Sequence, residues 1–177
     1  DLVNKVFVFP QETKDSYTDL ARPHSLFSYA TKAQDNEILL FKPKSSEYHF
    51  YVGGKFVTFR VPEGITMSEH ACASWESAIG IAEFWLNGKP WPCKGLQKDY
   101  VVGAEAVIVL GQEQDISEGG FDALQSFMGE TSDVYVWDRG LPTSEVQGAT
   151  RNNPTATPTF GWRNFPYKTK GKVYLRF

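Results

Sequence analysis

Short turns divide this chain into brief runs of residues, and this division limits the folds that it can adopt. In runs such as EYHFYV and KFVTFRV, apolar and polar residues alternate, and glycine, proline or asparagine ends many of the runs. Alternation with a period of two is typical of β-strands that bury one face. The two-residue turns Gly53-Gly54 and Asn87-Gly88 lie between such runs and predict two tight hairpins. The pattern therefore predicts an all-β, antiparallel fold.

Candidate strands extend over most of the chain, and one short helix is predicted. The strands are residues 3–9, 25–30, 37–42, 47–52, 55–61, 70–76, 81–86, 99–102, 104–111, 123–128, 132–138 and 172–176. The helix is residues 142–150, with Thr143 or Ser144 as its N-cap and Glu145 near its positive end. An aromatic content of 15% suits strands. Without a repeat or a linker, residues 1–177 are expected to form a single domain, an antiparallel two-sheet sandwich.

Charge and hydropathy exclude several classes of protein. The net charge is −3 and the chain has no block of Lys and Arg, so a nucleic-acid partner is not expected. No apolar stretch is long enough to cross a bilayer, so membrane insertion is not expected either. The chain begins directly with the strand-like sequence DLVNKVFVFP. A signal peptide was therefore either removed or never present.

Oxygen-bearing side chains gather where the apolar run AVIVLG ends. The next residues are QEQD, in which Glu113 and Asp115 would share one face of a strand while Gln114 offers its backbone carbonyl. Two carboxylates on one face repel each other, and a calcium ion, which accepts six to eight oxygen ligands, relieves that repulsion. The glycine-rich turn that follows could bring Gln125, and Asp122 with it, back to the same point.

A second group of oxygen ligands precedes another apolar run. Asp35 and Asn36 stand directly before ILLF and offer two side chains of the kind that calcium binds. Both groups also have plainer interpretations, because an Asp-Asn pair often forms a turn and QEQD can be a solvated strand end. The sequence alone does not show whether residues 35–36 lie beside residues 113–115.

The segment HACASWES, from His70 to Ser77, resembles the pentraxin signature His-x-Cys-x-Ser/Thr-Trp-x-Ser at every fixed position. The blocks SLFSYAT, DNEILLF, GIAEFWLNGKP, VGAEAVIVLGQEQD and VYVWDRGLP also resemble this family, and together they extend over nearly the whole chain. The resemblance implies a secreted, calcium-dependent, lectin-like protein of innate immunity and the acute phase. It further implies a jelly-roll sandwich, a cyclic homopentamer, and complement and Fc receptors as partners.

The resemblance also implies two calcium ions per subunit. Their ligands would be, for the first ion, Asp35, Asn36, Glu113, the carbonyl of Gln114 and Asp115, and, for the second, Glu113, Asp115 and Gln125. Two adjacent cations with open coordination positions bind a phosphate, sulfate or carboxylate group of a ligand.

An apolar ligand pocket beside the metals is implied at Leu39, Phe41 and Tyr51, although ordinary core packing is the plainer interpretation of the two aromatic residues. Some family members have a glutamate that meets a cationic group of the ligand, and the aligned residue here is Phe56. We therefore expect phosphate- or carboxylate-bearing ligands, such as phosphoethanolamine and anionic sugars or polysaccharides, with phosphocholine less favoured.

The chain departs from the family pattern at its cysteines. Before SLFSYAT it lacks a strand that in the family holds the disulfide partner of the signature cysteine, here Cys72. Hairpin counting places Cys72 opposite Trp85 and Cys93 opposite about Ala82, on opposite faces of a sheet. This placement argues against a Cys72–Cys93 disulfide. The region after residue 142 is also shorter than in the family.

Two other functions remain open. Glu113, Asp115 and Glu118 match the Glu-x-Asp-x-x-Glu motif of retaining β-glucan hydrolases, in which they would act as nucleophile, assisting carboxylate and acid/base. Glu118, however, lies in a glycine-rich turn, and the motif does not explain the signature around Cys72. A β-sandwich that only makes structural contacts is the third alternative, and it would follow from an incomplete calcium site. On balance, we expect a binding protein and not an enzyme.

Overall fold

The computed structural model describes residues 2–10, 22–63, 68–115, 121, 123–164 and 166–177. The chain divides into two compact units. The first comprises Asp1–Ser16 and Met128–Phe177, and the second comprises Tyr17–Phe127. The single domain over residues 1–177 stays a prediction.

Antiparallel strands make up most of the regular secondary structure in the described residues, which confirms the predicted all-β class. The strands are β1 (Val6–Phe9), β2 (His24–Ala30), β3 (Ile38–Lys44), β4 (Glu47–Val52), β5 (Lys55–Arg60), β6 (Ala71–Glu76), β7 (Ile81–Leu86), β8 (Lys89–Gly95), β9 (Val107–Leu110), β10 (Gly129–Thr131), β11 (Tyr135–Val136), β12 (Phe160–Gly161) and β13 (Tyr174–Arg176). The helix α1 is Thr143–Thr150, and Ala123–Gln125 form a 3-10 turn.

Both predicted hairpins are present, and their turn residues explain why. Gly53 and Gly54 have φ of 56° and 75°, and Asn87 and Gly88 have φ of 52° and 76°. Positive φ at both central residues gives the turn the twist of the strands that it joins. A side chain at Gly53 would also collide with the ring of Tyr100.

The Tyr17–Phe127 unit contains two sheets that enclose an aromatic core. Their strand orders are β5-β4-β3-β2-β9 and β6-β7-β8. Phe84 of β7 is fully buried, and its ring centroid lies 4.9 Å from both Tyr48 of β4 and Phe59 of β5. Because side chains alternate along a strand, Tyr48 and Phe50 contact this core while their neighbours on β4 point to the other face of the sheet.

Several predicted elements differ from those observed. Residues 99–102 are not a strand, since Asp99 has a φ of 59° that extended backbone does not allow. Residues 123–128 begin with the 3-10 turn instead of a strand. β8 is absent from the candidate strands, although the predicted Asn87-Gly88 hairpin needs a second arm there, and it contains Pro90 and Pro92. Among the described strands β8 lies at the edge of its sheet, where proline is tolerated.

The helix starts where it was expected, but its predicted cap is wrong. Pro142 occupies the N-cap position with extended dihedral angles, and no side chain caps the helix. Thr143 and Ser144 therefore lie inside the first turn, while Glu145 is in the first turn as expected. In the described part of the chain, no helix combines the length and the apolar character that crossing a membrane requires.

The Asp1–Ser16 and Met128–Phe177 unit has its own buried centre. Its sheet has the order β10-β1-β13, and β11 pairs with β12. Trp162 is 1% exposed, and its ring meets Phe7 edge-on with centroids 5.3 Å apart. The helix α1 buries Val146 and Ala149.

Both cysteines are free in this structure, which agrees with the expectation that Cys72 and Cys93 do not bridge each other. Cys72 is opposite Trp85 as predicted, whereas Lys94, not Cys93, is opposite Ala82. A register shift between Ala82 and Phe84 causes this difference of one residue. Burial raises the pKa of the Cys72 thiol to about 12, and the charge of Glu83 adds to the rise.

Replacing the central core ring should destabilise the protein strongly. We expect Phe84→Ala to lower the free energy of unfolding by about 3–5 kcal/mol, because a buried ring is lost and leaves a cavity. Phe177 is 92% exposed, and Phe177→Ala should change the free energy of unfolding by no more than about 0.5 kcal/mol. Guanidinium unfolding of both variants measures the contrast, and equal effects would contradict the assigned core.

Stability should fall in mild acid because of His24. This side chain is 5% exposed, and burial lowers its pKa, with the charges of Lys42 and Arg22 acting in the same direction. The hydrogen bond to the Arg22 carbonyl and the charge of Glu69 act in the opposite direction. Below about pH 6.5 the unfolded chain therefore binds a proton that the folded chain resists, so stability decreases as the pH falls. In denaturant titrations at pH 7.5 and 5, His24→Asn should reduce this loss, and an unchanged loss would contradict the assignment.

Candidate functional site

The predicted pocket residues lie on the face of the sheet that points away from the aromatic core. Leu39 of β3 is directly opposite Tyr51 of β4, and Phe41 is opposite His49. Opposed residues in an antiparallel pair share a face, so Leu39, Phe41 and Tyr51 are neighbours on this face. Leu39 is only 1% exposed there, which shows that other parts of the chain cover it.

Three rings stack beside this pocket. The ring centroid of Phe56 lies 4.7 Å from Tyr51 and 4.5 Å from His49, with interplanar angles of 28° and 20°. The role of His49 was missed by the sequence analysis, and Phe56 was considered only as a substitute for a glutamate. Counting the register back from the Gly53-Gly54 turn would have paired Tyr51 with Phe56.

The segment after β9 is held against β2 by a buried amide. Gln114 is fully buried, and its Nε2 donates hydrogen bonds to the Val107 carbonyl at 3.0 Å and to Ser28 Oγ at 3.3 Å. Ser28 is directly opposite Leu39 in the sheet. The side chain of Gln114 therefore anchors this segment beside the pocket, and only its backbone carbonyl could serve as the predicted ligand.

Glu113 connects the same segment to the pocket. Burial raises the pKa of Tyr51, and the negative charge of Glu113 raises it further. This electrostatic effect requires the carboxylate of Glu113 to lie near the Tyr51 hydroxyl, since such interactions weaken with distance. Residues far apart in the sequence are thus close together at this site.

An unpaired oxygen marks the other predicted group. The backbone N–H of Asn36 donates to Asp35 Oδ1 at 2.8 Å, and its carbonyl accepts from the N–H of Gly54 at 2.9 Å. The side-chain Oδ1 of Asn36 is buried without a hydrogen-bond partner, as is Oε1 of Gln112. A buried oxygen without a partner costs free energy, and a hard cation coordinated to it would remove that cost. The side chain of Asn36 therefore suits a calcium ion.

The acidic residues do not form a metal centre by themselves. No group of three or more His, Cys, Asp and Glu side chains that could hold a metal occurs in the described part of the chain. Asp35 is half-buried and Asp115 is exposed, while Gln125 is half-buried in the 3-10 turn that packs against β2. Asp122 and Glu118 lie outside the described residues. The complete ligand set stays a prediction, and amide and backbone oxygens would have to contribute to it.

A buried carboxylate next to Asn36 was missed by the sequence analysis. Glu37 is 1% exposed and accepts hydrogen bonds from the Tyr100 hydroxyl, at 2.7 Å, and from the backbone N–H of Gly103. The hydrogen bond from the Tyr100 hydroxyl to Glu37 is the main reason that the pKa of Tyr100 is raised to about 12. This network fixes the turn that presents Asp35 and Asn36. The signal available in the sequence was Glu37 itself, a charged residue at the first position of the apolar candidate strand 37–42.

Comparison with known sequences gives a consistent result. A sequence model of the Pentaxin family matches residues 13–177. The serum amyloid P-component of Rattus norvegicus is 43% identical over 197 residues, which include 99% of this chain and 86% of the rat protein. A mucosal pentraxin of the same species is 50% identical over 167 residues, or 82% of this chain and 76% of the relative.

The alignment length reflects the predicted shortening. It extends over 197 residues whereas the chain has 177, so at least 20 positions of the rat serum protein have no counterpart here. Among solved structures, the heptameric SAP-like pentraxin from Limulus polyphemus superposes with a TM-score of 0.82. The match includes 99% of this chain and 95% of that one, at 23% identity. This likeness confirms the predicted jelly-roll fold.

The ionisation of Tyr51 should report the charge at Glu113. We expect Glu113→Gln to lower the pKa of Tyr51, because the negative charge that opposes tyrosinate formation is lost. The pKa should stay above its ordinary value, since burial is the larger cause. Calcium bound near Glu113 should lower it in the same way.

Nuclear magnetic resonance of tyrosine labelled with ¹³C at Cζ measures this pKa through a pH titration. Asp99→Asn is the control, because Asp99 is an exposed turn residue with a backbone conformation that asparagine tolerates. An identical Tyr51 titration in the wild type and in Glu113→Gln would show that Glu113 does not act at the pocket.

Proposed function

This chain belongs to the pentaxin family, and on that basis we propose that it is a secreted, calcium-dependent, lectin-like protein that recognises molecular patterns. Its ligands carry phosphate or carboxylate groups, such as phosphoethanolamine and anionic sugars. Serum and mucosal relatives support an extracellular, acute-phase-like role.

The observation that carries the proposal is the meeting of two distant segments at one face of the sheet. Gln114 packs against Ser28 beside Leu39, and Glu113 acts electrostatically on Tyr51. The proposed calcium ligands are Asp35, Asn36, Glu113, the carbonyl of Gln114, Asp115 and Gln125, for two ions per subunit. The buried, unpaired Oδ1 of Asn36 supports this set because it provides an oxygen that needs a partner.

Each part of the site has a distinct task in ligand binding. Bound calcium supplies open coordination positions for an anionic group. Leu39, Phe41 and Tyr51 form an apolar wall that excludes water from the rest of the ligand. Phe56 carries no negative charge that could pair with a quaternary ammonium group. The residues therefore favour phosphoethanolamine and anionic sugars over phosphocholine.

Assembly would strengthen binding at a weak single site. We propose a cyclic homopentamer, in which several sites that engage one repetitive surface together give avidity. The similar protein from Limulus is described as heptameric, so the number of subunits has to be measured by analytical ultracentrifugation. Complement and Fc receptors are the proposed immune partners of the assembled ring.

The hydrolase alternative has less support. Membership in the pentaxin family does not favour it. We therefore propose that Glu113 and Asp115 act as ligands of calcium and not as catalytic groups.

Calcium should be required for ligand retention. We expect the protein to bind phosphoethanolamine immobilised on agarose in the presence of calcium and to elute with EDTA. Glu113→Gln and Asn36→Ala should each weaken calcium binding about tenfold or more, because the first removes a bridging charge and the second a coordinating oxygen. Isothermal titration with calcium measures the affinity, with Asp99→Asn as the charge-matched control.

Two results would contradict the proposed function. One is retention on the matrix that EDTA does not change, and the other is a calcium titration that Glu113→Gln and Asn36→Ala leave identical to the wild type. Calcium-independent cleavage of a β-glucan would instead support the hydrolase.

A further inference from the structure

Phe56 exposes a flat aromatic surface at the edge of the sheet. Phe56 is 48% exposed, and its side chain lies on the face of the sheet that carries the pocket, not on the face that packs on the core. The strand β5 that carries it is an edge strand among the described strands. A large apolar ring in this position is not explained by packing of the core.

The ring geometry leaves one face of Phe56 open. Its centroid is 4.5 Å from His49 and 4.7 Å from Tyr51, yet these two rings are only 6.3 Å apart. Two rings on opposite faces of Phe56 would be at least about 7 Å apart, since each needs about 3.5 Å of contact distance from the ring between them. His49 and Tyr51 therefore lie on the same side of Phe56, and the other side of the ring is directed away from both.

Polar groups lie along one side of this aromatic surface. Thr58 is directly opposite His49, and Glu47 lies two residues before His49 on the same face of β4. Glu47 Oε2 is 3.6 Å from Nε2 of His49, and its Oε1 is 3.2 Å from Nζ of Lys44. Burial is the largest cause that lowers the pKa of His49, so its imidazole is neutral at pH 7 and can both donate and accept.

Phe56 lies beside the proposed pocket residues, on the next strand of the sheet. Neighbouring strands are about 4.8 Å apart, so Phe56 on β5 lies about one strand beyond Tyr51 and two beyond Leu39. A ligand that contacts Leu39 and Tyr51 must therefore extend across one to two strand spacings, about 5–10 Å, to lie over Phe56.

We propose that Phe56, supported by His49 and Tyr51, is a specificity-determining residue that stacks on a pyranose ring of an anionic saccharide. This inference rests on the proposed function, since the anionic group of the saccharide is held at the calcium site. It adds an extended subsite that selects saccharides over small phosphate esters.

The chemistry of the surface favours a sugar over other flat ligands. The face of an aromatic ring carries partial negative charge, which attracts the C–H groups on one side of a pyranose ring. The hydroxyl groups of the sugar can bond to His49, Thr58 and Glu47 along one side of the ring. A nucleobase would stack on Phe56 but would leave this polar border with fewer partners.

A ligand series separates the subsite from the anion site. Phosphoethanolamine, glucose 1-phosphate and maltose 1-phosphate carry one phosphate each and no, one and two pyranose rings. With calcium present, the affinity of the wild type for maltose 1-phosphate should exceed that for phosphoethanolamine by about tenfold. Adenosine 5′-monophosphate is the comparison ligand that replaces the second sugar by a nucleobase.

Substitutions at Phe56 test the residue itself. Phe56→Leu keeps apolar bulk but removes the aromatic face, so it should abolish the gain from the sugar rings and leave phosphoethanolamine binding within about twofold of the wild type. Phe56→Trp should retain the gain. Phe177→Leu, the same change at an exposed residue of the other unit, is the matched control. Thermal unfolding establishes that each variant is folded.

The outcomes distinguish the two proposals. If the wild type does not bind phosphoethanolamine with calcium, the proposed function fails and this inference fails with it. If the wild type binds phosphoethanolamine but gains nothing from the sugar rings, only the inference is overturned. The inference is also overturned if Phe56→Leu weakens the binding of phosphoethanolamine and of maltose 1-phosphate equally. It is overturned as well if adenosine 5′-monophosphate binds more tightly than maltose 1-phosphate and its affinity falls further in Phe56→Leu.

Discussion

The two-residue period of β4 is the constraint on which the rest of this structure depends. Every second side chain, such as Tyr48 and Phe50, contributes to the aromatic core, and the residues between them, His49 and Tyr51, form the opposite face. A shift of the register by one residue would exchange the two sets. The stability of the sheet and the composition of the proposed ligand site are therefore fixed by the same hairpin, whose turn requires glycine.

Buried polar groups hold the loops that this face needs. Glu37 accepts hydrogen bonds from Tyr100 and Gly103, and Gln114 donates to Ser28 and Val107. The two contacts of Glu37 and the contact of Gln114 with Ser28 join segments that are far apart in the sequence, so each orders a loop at the cost of a buried polar group that must stay paired. The side chains of Glu37 and Gln114 thus position the loops that present the proposed calcium ligands. Neither side chain is itself a proposed ligand, because Gln114 would bind calcium through its backbone carbonyl.

The sequence predicted the class of fold and most strands, because alternation and two-residue turns are local signals. It failed where the structure is decided by distant contacts or by edge position, as for Pro90 and Pro92 on β8 and for the uncapped start of α1. At the site, the sequence identified the three residues that share the outer face, Leu39, Phe41 and Tyr51. It missed the stacking of His49 because that contact depends on how Phe56 leans across the neighbouring strand.

The unequal surroundings of the two cysteines have a practical consequence. Cys93 is exposed on β8, whereas burial keeps the thiol of Cys72 protonated at neutral pH. Only a thiolate reacts readily with maleimides and similar reagents. A fluorophore or a surface tether can consequently be attached at a single point of the natural chain, on a sheet other than the one that carries the proposed ligand face.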